Sequence, residues 1–128
     1  MNKLIIDVAG ENIFLMVITK YNIYSITKEN TKINYEKLTL IINEFLKSNK
    51  LKISNISKIY ANRGPGSFAG IRNCLSIVKA ISLTMKIDYY CYSFEDFKDQ
   101  SDVNHENIPN LCDKFKIKKN LIDPVYLS

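Results

Sequence analysis

Asn62-Arg63-Gly64-Pro65-Gly66-Ser67-Phe68-Ala69-Gly70-Ile71-Arg72 separates two apolar runs of different rhythm. The run before it, Ile56 to Ala61, has the length and β-branched content of a strand. The run after it, from Phe68 to about residue 86, repeats its apolar positions at helical spacing. The segment holds three of the chain's four glycines and both of its arginines. Clustered Gly and Pro at a strand-to-helix junction mean that the backbone turns sharply and approaches something closely. A strand, a tight turn and a long helix in that order predict an α/β fold.

Working outward from the segment gives the rest of the order. Residues 3–9, 13–18 and 23–27 read as strands separated by Gly10-Glu11-Asn12 and Lys20-Tyr21-Asn22, the pattern of an antiparallel meander. Residues 34–48 have helical spacing through Tyr35, Leu38, Ile41, Ile42, Phe45 and Leu46. Ile87 to Tyr92 is a fifth strand. Ser93 then caps a short helix, with Asp96 as its capping-box partner. The predicted order is β-β-β-α-β-α-β-α over residues 1–98, with 99–128 loop-rich. Asp99 to Asn110 is polar and reads as loop.

The helix at 68–86 has only three charges, Arg72, Lys79 and Lys86, seven residues apart on one stripe. A helix packed only on a sheet shows water a wide polar face, so this one is expected to be buried on two sides. Ile71, Cys74, Leu75, Val78, Ile81 and Met85 are the candidate partner-binding residues. Cover by the chain's own first helix is the alternative.

The 128 residues suffice for one domain with a real core. The apolar fraction of 46% and the charged fraction of 24% are those of an ordinary globular protein. The longest apolar runs are too short to span a bilayer. Asp7 interrupts any signal-peptide core, so a cytoplasmic location is expected. Cys74, Cys91 and Cys112 form no CxxC pair and read as small buried hydrophobes rather than metal ligands. The net charge of +5 permits contact with nucleic acid without showing it. Lys114, Lys116, Lys118 and Lys119 form a basic cluster, either a solvated tail or a contact for RNA or a partner.

Gly64-Pro65-Gly66-Ser67 at a helix mouth has the parts of an anion site, with Ser67 as N-cap. No Lys-Ser or Lys-Thr follows, which excludes a P-loop, and the glycines do not follow the first strand as a Rossmann motif requires. The other reading is a tight turn, with Gly70 placed where helix meets sheet. Asp7 at the end of the first strand could hold a metal–phosphate group or be a polar strand end. No carboxylate cluster completes a metal site. His105, the single histidine, lies in the polar loop, and a Ser67–His105 nucleophilic pair has no local support.

Gly64, Pro65, Gly66, Ser67, Phe68, Gly70, Ile71 and Arg72 resemble the central motif of the TsaB (YeaZ) family of tRNA threonylcarbamoyladenosine biosynthesis, with Ala69 where Thr is common. Leu4-Ile5-Ile6-Asp7 is similar to the family's first strand. Pro124-Val125-Tyr126-Leu127 resembles its C-terminal signature, with Ser128 where Arg is usual. The resemblance implies one lobe of actin-like, ribonuclease-H-like type: a mixed five-stranded sheet, strands 1–3 antiparallel and 4–5 parallel. It implies a non-catalytic scaffold without cofactor or metal. Such a scaffold forms a heterodimer with a TsaD-like catalytic subunit and meets a TsaE-like ATPase. It touches tRNA only indirectly or weakly, and a homodimer of the chain alone is left open. Members carry a second lobe. Here about 30 residues separate the fifth strand from the C-terminal signature, so a shortened form is expected. The resemblance thus implies that 1–98 is one lobe and 99–128 the remnant of a second. The rival readings are an actin-like ATPase fragment using Asp7 and the Gly64–Ser67 turn, and a stand-alone homodimeric module.

Overall fold

The computed structural model describes residues 1–126. Five strands form one mixed sheet: β1 (Asn2–Asp7), β2 (Asn12–Ile18), β3 (Ile23–Glu29), β4 (Ile56–Asn62) and β5 (Asp88–Tyr92), in the spatial order β3-β2-β1-β4-β5. β1 pairs antiparallel with β2, and β2 with β3. β1 pairs parallel with β4, and β4 with β5. The central strand β1 carries Leu4, Ile5 and Ile6, all without exposed surface, because it is covered on both faces.

The period of two divides the strands between those faces. Leu4 and Ile6, with Ile13, Leu15, Val17, Ile59, Ala61, Tyr89 and Cys91, join one core. Ile5, Met16, Tyr60 and Tyr92 join the other.

Three helices cover the first face: α1 (Lys32–Glu36), α2 (Leu38–Ser48) and α3 (Phe68–Met85). The single helix expected over 34–48 starts earlier and breaks at Lys37. Thr31 caps α1 by accepting from the Asn34 amide. The Asn73 side chain on α3 donates to the Tyr35 carbonyl at the break. That bond satisfies a carbonyl freed where the helix ladder stops. α2 contributes Leu38, Ile41, Ile42, Phe45 and Leu46 to the core, and α3 contributes Ile71, Cys74, Leu75 and Val78.

Residues 99–104 are irregular, as the sequence reading of Asp99–Asn110 as loop expects, but the cover of the second face corrects the rest. Asn104 caps a single helical turn, His105–Asn107, and α4 (Ile108–Lys114) follows directly with Pro109 in its first turn. Ile108, Leu111 and Cys112 are buried against Ile5, Met16, Tyr60 and Tyr92, with Phe97 beside them. Phe97 closes the short turn Phe94–Phe97, which Ser93 and Asp96 cap reciprocally as expected.

Beyond α4 the chain runs back as an extended strap. Asn120 exchanges hydrogen bonds with Tyr89 on β5, and Tyr126 bridges to Gly66. The strap thereby covers the outer edge of β5. Leu127 and Ser128, the end of the expected C-terminal signature, lie outside the described residues. Among the described residues, no helix is long and apolar enough to cross a membrane.

Candidate functional site

The Gly64–Phe68 turn is held by the strand that feeds it. Asn62, the last residue of β4, is buried and works at both ends of its amide. Its Oδ1 accepts from the Gly64 amide at 2.8 Å, and its Nδ2 donates to Asp7 Oδ2 at 3.1 Å. The close approaches that the glycines imply are present. Gly64 has φ +116°, and a Cβ there would sit 2.0 Å from the Val125 carbonyl oxygen. A Cβ on Gly66 would press on Ala9 backbone at 2.9 Å. The motif is therefore wedged between the β1–β2 turn and the C-terminal strap.

Ser67 occupies the N-cap position of α3 with extended backbone, but its side chain makes no capping hydrogen bond. Its Oγ lies 3.1 Å from where a Cβ on Gly70 would be, so Gly70 leaves room for Ser67 more than for the sheet. Phe68 is half-exposed, packs at 4.6 Å on Tyr126, and has the Arg72 guanidinium 5.5 Å from its ring centre. Arg63, not singled out by the sequence reading, ties the turn to the rest. Its Nη2 pairs with Asp96 Oδ1 at 2.8 Å, while its Nη1 donates to the Asp123 carbonyl at 3.0 Å and lies 3.6 Å from the Asp123 carboxylate.

Asp7 and His105 form the contact that sequence reasoning missed. His105 Nε2 lies 2.8 Å from Asp7 Oδ2, and because a carboxylate only accepts, Nε2–H is the donor. The imidazole stacks on Phe14 at 4.1 Å and meets Phe94 edge-on at 5.4 Å. Asp7 Oδ1 accepts from the Ala9 amide. Burial alone would raise the Asp7 pKa. The hydrogen bonds from His105, Ala9 and Asn62, together with the His105 charge, outweigh it and hold the carboxyl below its usual value. Both oxygens are thus engaged by protein donors, Oδ2 by two and Oδ1 by one. Among the described residues no group of His, Cys, Asp and Glu could hold a metal ion, and no hydrogen bond joins Ser67 to His105. Beside Asp7 lies an open cleft of about 370 Å³, lined by Ala9, Asn62, Gly64, Pro65, Phe94 and Glu95 among others.

The six helix residues expected to meet a partner divide sharply. Ile71, Cys74, Leu75 and Val78 face the chain's own sheet and are buried, so they are not a free surface. Ile81 is half-buried and Met85 is exposed. With Ile77, Ala80 and Thr84 they wall a cavity of about 300 Å³ between α3 and α2, closed by Ile42 and Ile53. Leu83, 73% exposed, and Leu40, 53% exposed, stand on the same two helices. The three cysteines are free and buried. Burial pushes the Cys91 and Cys112 thiols up to about 12 and Cys74 higher still, which leaves them unreactive.

Comparison with known proteins fits this architecture. The model of a family described as "TsaD: tRNA N6-adenosine threonylcarbamoyltransferase" matches residues 29–93, just over half of the chain. The chain is 29% identical over 87 residues to the tRNA threonylcarbamoyladenosine biosynthesis protein TsaB of Buchnera aphidicola subsp. Schizaphis graminum, covering 68% of this chain and 41% of that protein. It is 35% identical over 66 residues to the TsaB of Buchnera aphidicola subsp. Baizongia pistaciae, covering 52% and 30%. Among solved structures, YeaZ from Pseudomonas aeruginosa superposes with a TM-score of 0.67 at 18% identity, covering 72% of this chain and 43% of that one. The chain thus spans less than half the length of each of these relatives. The mixed β3-β2-β1-β4-β5 sheet is the actin-like, ribonuclease-H-like lobe of YeaZ. On the family match, the curated relatives and the shared fold together, the chain belongs to the TsaB/YeaZ family of TsaD-related proteins.

Proposed function

We propose that the chain is a non-catalytic subunit of tRNA threonylcarbamoyladenosine synthesis, which pairs through α2 and α3 with a catalytic subunit of the TsaD type. The names of the curated relatives supply the process. The observation that carries the pairing is the apolar groove between α2 and α3, two helices that also expose Leu40 and Leu83. Burying such side chains contributes roughly 1.5–3 kcal/mol each, enough for a few of them to offset the entropic cost of association. A non-catalytic role is supported by Asp7, whose two carboxylate oxygens are already engaged by Ala9, Asn62 and His105.

The test is co-expression with the TsaD of the same organism. Leu83→Asp and Met85→Asp are the informative variants, because both positions are exposed and tolerate charge in the free chain. Val78 is unsuitable, since Asp at a position without exposed surface would break the core. The expected result is loss of co-purification and of the tRNA modification in both variants. Retention of the complex by both would place the partner elsewhere. A self-paired dimer through the same groove is the second reading, and light scattering of the chain alone, with and without Leu83→Asp, decides it.

A further inference from the structure

The surface on either side of the C-terminal strap lies apart from the α2–α3 groove. Ile122 and Tyr126 of the strap line a depression of about 230 Å³ together with Arg72, Leu75, Ser76 and Lys79 of α3. Lys116, Lys118 and Leu121 line a second, of about 180 Å³, on the other side. Arg72, Lys79, Lys116 and Lys118 are all exposed and form no ion pair among the described residues. Asp96 and Asp123, the carboxylates at the second depression, are both held by Arg63. The strap therefore carries two cations of its own, Lys116 and Lys118, which outnumber the one carboxylate charge that Arg63 leaves over, and it passes the unpaired Arg72 and Lys79 on α3. At its end the rings of Phe68, 52% exposed, and Tyr126, 37% exposed, meet beside Arg72.

Cations that track a backbone, beside aromatic rings open to stacking, are the means by which unpaired nucleic acid is held. An acidic polypeptide would use the cations and leave the rings idle. We propose that this face binds an unpaired segment of RNA, with phosphates on Arg72, Lys79, Lys116 and Lys118 and a base against Phe68 and Tyr126. The inference rests on the proposed role only for the choice of RNA as the polynucleotide.

The experiment is fluorescence anisotropy of a labelled, unstructured single-stranded RNA with the full chain over a series of salt concentrations. Each phosphate contact removed lowers the slope of log affinity against log salt by about 0.7, so Arg72→Ala/Lys79→Ala lowers it by about 1.4. Lys116→Ala/Lys118→Ala does the same from the strap itself. Phe68→Ala leaves the slope alone and weakens binding by about fivefold or more. Lys20→Ala/Lys28→Ala, at the far edge of the sheet, changes neither. No binding by the unaltered chain, an unchanged slope in both cation pairs, or an equal loss from Lys20/Lys28 overturns the proposal. So does polyglutamate that competes as well as RNA and is indifferent to Phe68→Ala. All these variants are expected to co-purify with the catalytic partner normally. A chain that binds RNA as described but never binds that partner refutes the pairing and leaves this surface standing.

Discussion

The two faces of the sheet are covered by different kinds of sequence. On one face α2 and α3 supply long apolar stripes, and Leu38, Ile42, Leu46, Ile71, Cys74 and Val78 repeat at helical spacing. On the other, the cover is a polar segment with a few apolar residues: Phe97, Val103, Ile108, Leu111, Cys112, Phe115 and Ile117. Yet Phe97 and Ile108 are as deeply buried as Leu38 and Ile42. A short helix carrying few apolar side chains seals a face when each of them lands on it, and the polar residues between them stay in water.

The largest expected effect tests whether the two covers are equally integral. Phe97→Ala should cost about 3–5 kcal/mol in urea unfolding, the same as Phe45→Ala on the other face. Both phenylalanines are at most 2% exposed, and both touch several core side chains. A cost below about 1 kcal/mol for Phe97→Ala alone would mean that the second cover is loosely laid on the sheet. The comparison would then fail.

The first face was legible in the sequence because its signal is long. Eighteen residues of α3 and eleven of α2 give a period several turns in which to show itself. The break at Lys37 was not legible, since Asn73, which bonds the freed Tyr35 carbonyl, lies 38 residues away. α4 did leave a trace: Ile108, Leu111, Cys112 and Phe115 stand at i, i+3, i+4 and i+7. The pattern is two turns long, and the surrounding Asn, Asp and Glu outweigh it. At the motif, the sharp turn and close approach were readable from Gly64 and Gly66. That the strap's Val125 is what approaches Gly64 was not, because the contact spans the chain. The Asp7–His105 pair was hidden for the same reason, its members standing 98 positions apart.

That pair gives the second test, since it fastens the start of the second cover to the end of the central strand. Removing the donor in His105→Ala leaves a buried carboxylate short of a hydrogen bond, at a cost of about 1.5–3 kcal/mol near neutral pH. Asp7 is held below its ordinary value of 3.8 in the folded chain, so on acidification the unfolded chain takes up the proton first. The stabilisation is present above that ordinary value and is lost as the pH falls through the depressed native one. Unfolding measured down a pH series should therefore show the wild type and His105→Ala converging in acid. A gap that stays constant with pH would reduce His105 to its stacking on Phe14 and Phe94.

The smallest effect has the opposite sign. Tyr92 on β5 points into the second core with no exposed surface, and its hydroxyl finds no hydrogen-bond partner among the described residues. Burial holds that hydroxyl's pKa well above its normal value. The ring packs edge-on to Phe94 at 5.6 Å and stacks on Phe97 at 6.2 Å, so the aromatic surface does the packing while the oxygen only loses water. An unpaired buried polar group costs about 1–3 kcal/mol, and deleting it while keeping the ring returns part of that. Tyr92→Phe should accordingly raise stability by about 1 kcal/mol and the melting temperature by about 2–8 °C. A loss of similar size instead would show that the hydroxyl is bonded in solution. The second face would then hold a buried polar contact at Tyr92 in addition to the Asp7–His105 pair, and its cover would depend on polar chemistry at two places.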